Sequence, residues 1–328
     1  MKSKILLTGG SGFLGSSLAL SLAQKGNKIV IFDNNFRGSF LKFSNLNKRN
    51  ISFFKGDIRD QKSLIKASKG CTEIYHLAFI NGTSNFYERP KLVLDVGIKG
   101  ILNVIELCNN SKNIKKLIYA SSSEVYNKPK KIPASEKEFL VIPDPHNPRF
   151  SYSGGKIIGE LVTLNYLKLT KIKHCIFRPH NIFGPNMGLE HVIPQIINKI
   201  YIASNGLKKR KCKINIQGNG NETRSFCFVD DAIKQIEMIG KKGKNREIYN
   251  IGQNKEISIN KLINDISKIL RIKIETRKSK LNLGSVKRRC PDIKKIKNIC
   301  EFDNNYLKGL KVTVDWYKKF YKNDKKFY

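Results

Sequence analysis

Through about the first 180 residues, short apolar runs alternate with longer stretches whose apolar residues recur at helical spacing. Residues 4–7 (KILL), 28–32 (KIVIF), 51–55 (ISFFK), 73–77 (EIYHL), 116–120 (KLIYA) and 174–178 (HCIFR) read as six strands. A stretch from Gly12 to about Lys25, closed by Gly26-Asn27, reads as the first helix, and two more are expected near 92–110 and 152–170. Strands separated by helices predict βαβ units, a parallel sheet and right-handed crossovers. The expected fold class is therefore α/β, a Rossmann-like doubly wound parallel sheet. After Pro179 the pattern becomes irregular. Pro185, Pro194 and Gly218-Asn219-Gly220 punctuate it, and helices are expected near 190–205, 230–240 and 258–270 among short strands. This portion reads as a smaller C-terminal lobe. The division expected is 1–180 for the sheet domain and 181–328 for the lobe, with the chain crossing between them.

At 328 residues the chain can bury a real core. No apolar stretch approaches the roughly 20 residues of a membrane span, and the apolar start ends at Thr8-Gly9-Gly10, too early for a signal peptide. The expected compartment is the cytoplasm. Cys71, Cys108, Cys175, Cys212, Cys227, Cys290 and Cys300 are scattered, with no C-x-x-C and no histidine at zinc spacing, so they read as reduced core thiols and no metal site is expected. Charge changes the picture more. There are 62 basic and 26 acidic residues, a formal net charge of +36. Such a field suits nucleic acid, acidic lipid or a phosphate-bearing substrate. The lysines are spread along the chain, however, and the densest clusters, 208–211 and 241–244, fall in expected loops without interleaved aromatics. A basic tail holds Lys318-Lys319 and Lys325-Lys326. This distribution argues against a nucleic-acid surface.

Candidate chemistry begins at Gly9-Gly10-Ser11-Gly12-Phe13-Leu14-Gly15, which follows the first strand and opens the first helix. Glycines at 9, 12 and 15 let the backbone turn tightly, approach a pyrophosphate and pack helix on strand, while the helix N-terminus offers N–H groups to the phosphates. Asp33 ends the second strand, where a carboxylate accepts both ribose hydroxyls of adenosine. An acid there favours NAD, since it repels a 2′-phosphate, although Arg37 four residues on could serve NADP instead. Asp57-Ile58 suits an adenine edge, and Leu77-Ala78-Phe79 would line the cofactor. Tyr152 and Lys156 are four apart on a helix, hence on one face. An ammonium beside the phenol, with a cationic nicotinamide ring nearby, favours the phenolate and makes tyrosine a usable base. The segment 120–126 (ASSSEVY) ends the fifth strand, where a hydroxyl can bond a substrate oxygen.

These segments resemble the extended short-chain dehydrogenase/reductases of the nucleotide-sugar epimerase/dehydratase/decarboxylase family over nearly the whole chain. The resemblance is carried by TGGSGFLG at 8–15, Asp33-Asn34, GDIRD at 56–60, HLAF at 76–79, SSSEVY at 121–126 and YSGGK at 152–156. RPHNIFGP at 178–185, GNGNETRSFCFVDD at 218–231, YNIG at 249–252 and RRCPDI at 288–293 complete it. It implies bound NAD and a nucleotide-diphosphate sugar as substrate. Tyr152 is then the catalytic base, Lys156 holds the nicotinamide ribose, and Ser122 shares the proton of a sugar hydroxyl. Asn181, Arg224 and one of Arg288 or Arg289 would contact the diphosphate. Asn81, in the loop after the fourth strand, and Ser123 would face the substrate.

Family members share oxidation of the sugar, usually at C4, and differ in the fate of the ketosugar. Dehydratases of this family carry Asp-Glu after the catalytic hydroxyl, whereas Ser123-Glu124 stands here. Decarboxylases resemble the chain through hydroxyl, Ser and Glu and an R-x-P-D-like stretch; epimerases tolerate Ser-Ser-Glu and need nothing from Glu124. Epimerisation is the expected reaction, with decarboxylation of a UDP-glucuronate-like substrate the nearest alternative and 4,6-dehydration on the same scaffold a further one. A non-catalytic redox sensor or nucleic-acid partner is the alternative of another class, disfavoured by the intact Ser122, Tyr152 and Lys156 set. The resemblance also implies a homodimer paired through the helices near 92–110 and 152–170.

Overall fold

The computed structural model describes residues 2–38, 50–279 and 286–322. All six expected strands form, as β1 (Lys4–Thr8), β2 (Lys28–Asp33), β3 (Ile51–Lys55), β4 (Glu73–His76), β5 (Lys116–Ala120) and β6 (Lys173–Pro179). Between them run α1 (Phe13–Gln24), α2 (Gln61–Ala67), α3 (Thr83–Glu88), α4 (Pro90–Asn110) and α5 (Ser151–Tyr166). Proline starts α4 at a position where its missing N–H has no helical partner to lose. Successive side chains of a strand point to opposite faces. Ile5 and Leu7 accordingly join one buried cluster and Leu6 the other, and Ile118 and Leu117 divide in the same way. Each such fully buried side chain stabilises the fold by roughly 1.5–3 kcal/mol.

The second part of the chain supplies β7 (Ile182–Phe183), α6 (Val192–Ala203), β8 (Lys211–Gln217), β9 (Thr223–Ser225), β10 (Cys227–Phe228), α7 (Val229–Lys242) and β11 (Glu247–Ile251). There follow β12 (Glu256–Ser258), α8 (Ile259–Leu270), β13 (Lys273–Ser279), β14 (Arg288–Arg289), α9 (Lys294–Lys297) and α10 (Tyr306–Lys322). β11 returns to the main sheet and pairs in parallel with β6, while α7 packs on α1. The seven-stranded order is β11-β6-β5-β4-β1-β2-β3, every neighbouring pair parallel. The order reverses between β1 and β4, and above the carboxyl ends at that reversal lies the crevice where such sheets take ligands. The lobe's small sheets are β12-β9-β14 and the pairs β10-β7 and β13-β8. Strict alternation in β8 buries Cys212, Ile214 and Ile216.

Two expectations about charge are corrected in part, since residues 208–210 and 243–244 do lie outside helices and strands. Lys241 and Lys242 belong to the last turn of α7, where cations complement the carbonyl end of the helix, and Lys211 opens β8 and pairs with Glu275 at 2.8 Å. The tail holding Lys318-Lys319 is part of α10, whose buried Tyr306, Leu310, Val314 and Tyr317 face inward; Lys325-Lys326 lie outside the described residues. Among the described residues no helix is long and apolar enough to cross a membrane.

A buried ion pair joins helix to sheet. Arg178, near the end of β6, donates from Nε to Glu160 Oε1 at 2.8 Å and from Nη2 to Oε2 at 2.5 Å, and both side chains are only 2 % exposed. Glu160 Oε1 also accepts from Ser121 Oγ at 2.5 Å. Arg178 Nη1 donates to Tyr126 OH at 2.8 Å, and that hydroxyl donates to Asn250 Oδ1 at 2.7 Å. Breaking one partner of such a pair strands a buried charge. Glu160→Gln is therefore expected to cost ~3–5 kcal/mol in urea unfolding. The double replacement Glu160→Leu/Arg178→Met is expected to recover most of that loss. Equal losses in the single and double variants would contradict the pairing.

Candidate functional site

The glycine-rich turn is built by close approach. Gly9 has φ 71°, and a Cβ there would stand 2.7 Å from Ala78 N; a Cβ on Gly15 would stand 2.2 Å from Gly9 O. Neither position admits a side chain without moving backbone. At Gly12 a Cβ would meet only Gly9 O, at 3.3 Å, so the backbone there faces open space. Gly12 caps α1 with no side-chain bond, and no acid sits in the first turn. The helix start thus keeps its positive end for an anion. That open cradle fits the pyrophosphate of a dinucleotide. Asp33 is held at the cavity wall, its Oδ2 accepting from Ser11 N at 2.9 Å and its Oδ1 from Asn35 N at 2.7 Å. Asn34 Nδ2 reaches Asp57 Oδ2 at 3.4 Å, and the hydrogen-bonded Arg59 guanidinium holds Asp57 below its ordinary pKa.

The chemistry side chains converge at the ends of β4 and β5. Ser122 caps the short 3-10 turn Ser123–Tyr126, its Oγ accepting from Glu124 N at 3.1 Å. Tyr152 is clamped between Phe86, stacked at 4.9 Å, and Phe79, edge-on at 5.1 Å. Burial pushes its hydroxyl up to about 12, with the hydrogen bond to Ser122 pulling the other way. Lys156 Nζ donates to Ala120 O at 2.5 Å and sits 4.1 Å from the centre of the Phe79 ring. Burial lowers its pKa to about 7, opposed by Glu160. Nζ stands 5.8 Å from the Tyr152 ring centre, and burial keeps Tyr152 protonated at neutral pH in the chain by itself. Beneath them Thr8 Oγ1 and His76 Nδ1 are 2.7 Å apart, and burial, then Lys156, lowers His76 to about 3, a neutral ring.

At the far end, Arg289 Nη1 pairs with Glu124 Oε1 at 2.5 Å. Burial alone would raise the Glu124 pKa, but Arg289, then Arg149 and Arg224, outweigh it and hold the carboxyl below its ordinary value. The parallel register of β14 with β9 sets Arg289 opposite Arg224. Like charges side by side repel unless an anion compensates. Burial and Arg289 together lower Arg224 to about 10. Arg288 instead faces outward to Glu256, at 2.5 Å. Asn181 has φ 42°, and its buried Nδ2 has no partner among the described residues.

One cavity of about 660 Å³ gathers these groups. Gly9, Gly12, Phe13, Leu14, Gly15, Asp33, Asn34, Asp57, Ile58, Leu77, Ala78 and Phe79, the residues expected at the cofactor, all line it. Asn81, Ser122, Ser123, Glu124, Tyr152, Lys156, Asn181 and Arg289 line it as well. Arg224, like Arg288, is outside the lining, donating to Thr223 O at 2.8 Å and Lys287 O at 3.2 Å. The cavity adds groups that the motifs did not bring out: Phe86, Arg149 and a loop including Gly188, Glu190 and His191. Phe86 belongs to the stretch 81–86 after β4, which is expected to face the substrate and here folds in part into α3, whereas Arg149 and the 186–191 loop carry no local signal.

A doubly wound sheet with this turn at its reversal, and a serine, tyrosine and lysine on one wall, defines an extended short-chain dehydrogenase/reductase. The chain belongs to the NAD dependent epimerase/dehydratase family, whose sequence profile matches residues 5–252. It is 31% identical to a UDP-N-acetyl-alpha-D-glucosaminuronate decarboxylase of Bacillus cytotoxicus, over 97% of this chain and 99% of that one. It superposes on the UDP-N-acetylglucosamine 4-epimerase of Methanobrevibacter ruminantium, solved with UDP-N-acetylmuramic acid, with a TM-score of 0.86 and 28% identity over 98% of this chain and 100% of that one. It is also similar to the dTDP-glucose 4,6-dehydratase of Bacillus anthracis, solved with NAD, with a TM-score of 0.81 and 27% identity over 98% of both chains.

The depressed Lys156 pKa has a thermodynamic consequence. Folded Lys156 releases its proton near pH 7, while the unfolded chain holds that proton to about pH 10.4. Between these values the unfolded state binds more protons, so stability rises with pH. In NAD-free protein, the wild type should gain up to about 1.4 kcal/mol per pH unit relative to Lys156→Met between pH 7 and 9. A pH-independent difference in urea unfolding would refute this.

Proposed function

We propose that the chain epimerises a nucleotide-diphosphate hexose at C4 through a transient 4-ketosugar, and that Tyr152 carries the proton. Ser122, hydrogen-bonded to Tyr152, bonds the same sugar oxygen and keeps the hydroxyl in line with the phenol. Lys156, fixed on Ala120 O, holds the nicotinamide end of the cofactor in register with Tyr152. Bound NAD supplies reversible hydride acceptance, and its cationic ring favours the phenolate that burial opposes. Phe79 and Phe86 exclude water from around the phenol, so the proton exchanges with the sugar. Asn181, Arg224 and Arg289 are the side chains proposed for the diphosphate, bidentate guanidinium pairing matching that anion.

The Glu124–Arg289 pair carries the choice of reaction. Elimination of water needs an acid for the leaving hydroxide, but Ser123 offers a hydroxyl and Glu124 is held ionised. Decarboxylation adds a carboxylate to the sugar, and Glu124 sets a negative charge beside Arg289 that such a carboxylate would have to meet. A neutral sugar suits this wall best. Decarboxylation is the second reading, favoured by the full-length likeness to the Bacillus cytotoxicus decarboxylase.

Purified enzyme given UDP-glucose, UDP-N-acetylglucosamine, UDP-glucuronate, GDP-mannose and dTDP-glucose separates these outcomes. Mass spectrometry should find a product of unchanged mass, and NMR an inverted C4. Loss of CO₂ would establish the second reading, and loss of water would end both. Tyr152→Phe should lower kcat ~10²–10⁴-fold with unchanged folding; full turnover would sink the mechanism. We also infer a two-fold pair through the outer faces of α4 and α5, which expose Leu102, Ile158 and Leu161. Light scattering should give twice the 37.5 kDa chain mass; a monomer at micromolar concentration would contradict the pairing.

A further inference from the structure

The cavity holds a cation that the mechanism above leaves unused. Arg37 is followed by Gly38, which presses on the glycine-rich turn: a Cβ there would stand 1.9 Å from Ser11 O and 2.9 Å from Gly12 N. The Arg37 side chain therefore sets out from directly over the N-terminus of α1. It crosses to the loop after β4, where Nη1 donates to Asn81 O at 2.9 Å. Nη2 lies flat against Gly188, whose Cβ, if present, would come within 2.1 Å.

This course decides what the guanidinium can serve. The other cations lining the cavity lie elsewhere: Lys156 on Ala120 O, and Arg289 and Arg149 beside Glu124. Among the described residues Arg37 is in no ion pair, and its one hydrogen bond goes to a neutral carbonyl. The acids Asp33 and Asp57 mark the adenosine end of the cavity, and the Arg37 head group has left that end behind. Its charge is instead felt at Tyr152, where it counts against the burial that raises the phenol. The stretch between Asp33 and Tyr152, bounded below by the N-terminus of α1, is where a dinucleotide carries its two negative phosphates.

We propose that Arg37 is a pyrophosphate ligand for the dinucleotide, adding a side-chain cation to the main-chain N–H groups of the turn. The proposal rests on the NAD reading of the cavity. A guanidinium presents parallel N–H donors that match two phosphate oxygens, which one backbone carbonyl cannot satisfy. By the same placement Arg37 does not serve the 2′-phosphate of NADP.

Calorimetric titration of NAD-stripped wild type, Arg37→Ala and Arg37→Lys with NAD, ADP-ribose, adenosine and NADP tests the assignment. Loss of a charge-assisted hydrogen bond should weaken NAD and ADP-ribose about 10- to 100-fold in Arg37→Ala. Adenosine should bind within twofold of wild type, and Arg37→Lys should recover part of the loss. Unchanged NAD affinity, or a loss confined to NADP, would overturn the assignment. So would an equal loss for adenosine, which would make Arg37 a support for the loop. Failure of the wild type to bind NAD at all would overturn the cofactor reading, and this proposal with it.

Discussion

The Glu160–Arg178 pair is the constraint on which the site depends. Two opposite charges in a low-dielectric interior hold each other firmly only when their remaining hydrogen-bonding capacity is filled. Here it is filled by residues that build the walls. Ser121, bonded to the carboxylate, fixes the chain immediately before Ser122. Tyr126, bonded to the guanidinium, fixes the far end of the same turn and passes the linkage to Asn250 on β11. Asn250 Nδ2 in turn holds Ala134 O at 2.9 Å and Asp292 O at 3.2 Å, three residues beyond Arg289. Glu160 also lies one helical turn beyond Lys156 and is the charge that opposes its deprotonation. One buried charge pair thereby sets the spacing between the tyrosine helix, the serine turn and the arginine strand.

Around that pair the protein distributes charge unevenly. The surface is strongly cationic, yet the cavity walls alternate sign, with Asp33 and Asp57 at one end and Glu124 within three arginines at the other. Glu124 does two things at once. It neutralises Arg289, and it gives the cavity a negative wall at that end.

What local patterns encode could be read from the chain alone. The strands and the glycine turn were legible because alternation, helical period and Gly9, Gly12 and Gly15 act over a few residues. Tyr152 and Lys156 were legible because four residues make one helical turn. Arg178 was visible only as part of a motif, since its partner comes from a different element and no periodicity links them. The choice between Arg288 and Arg289 was likewise hidden: adjacent strand residues face opposite ways, and register with β9 decides which one looks inward. The bond from Lys156 to the carbonyl at the end of β5 was hidden for a related reason, since it too joins two elements. The α10 helix was overlooked because the paired lysines at its end read as a basic tail, although Tyr306, Leu310, Val314 and Tyr317 keep helical spacing.

The return of β11 to the main sheet governs how the molecule can be assembled. Until residue 251 is available, β6 is an open edge whose residues from His174 to Arg178 are all buried in the finished fold. An unpaired, largely apolar edge is a template for association with other chains. A fragment ending at residue 180 would carry the glycine turn, Tyr152 and Lys156 and still present that edge to solvent. During synthesis the same edge waits for the intervening lobe segments to be made before it can close, a long-range pairing that slows folding and prolongs exposure. The nucleotide end of this protein is therefore a poor candidate for a free-standing module.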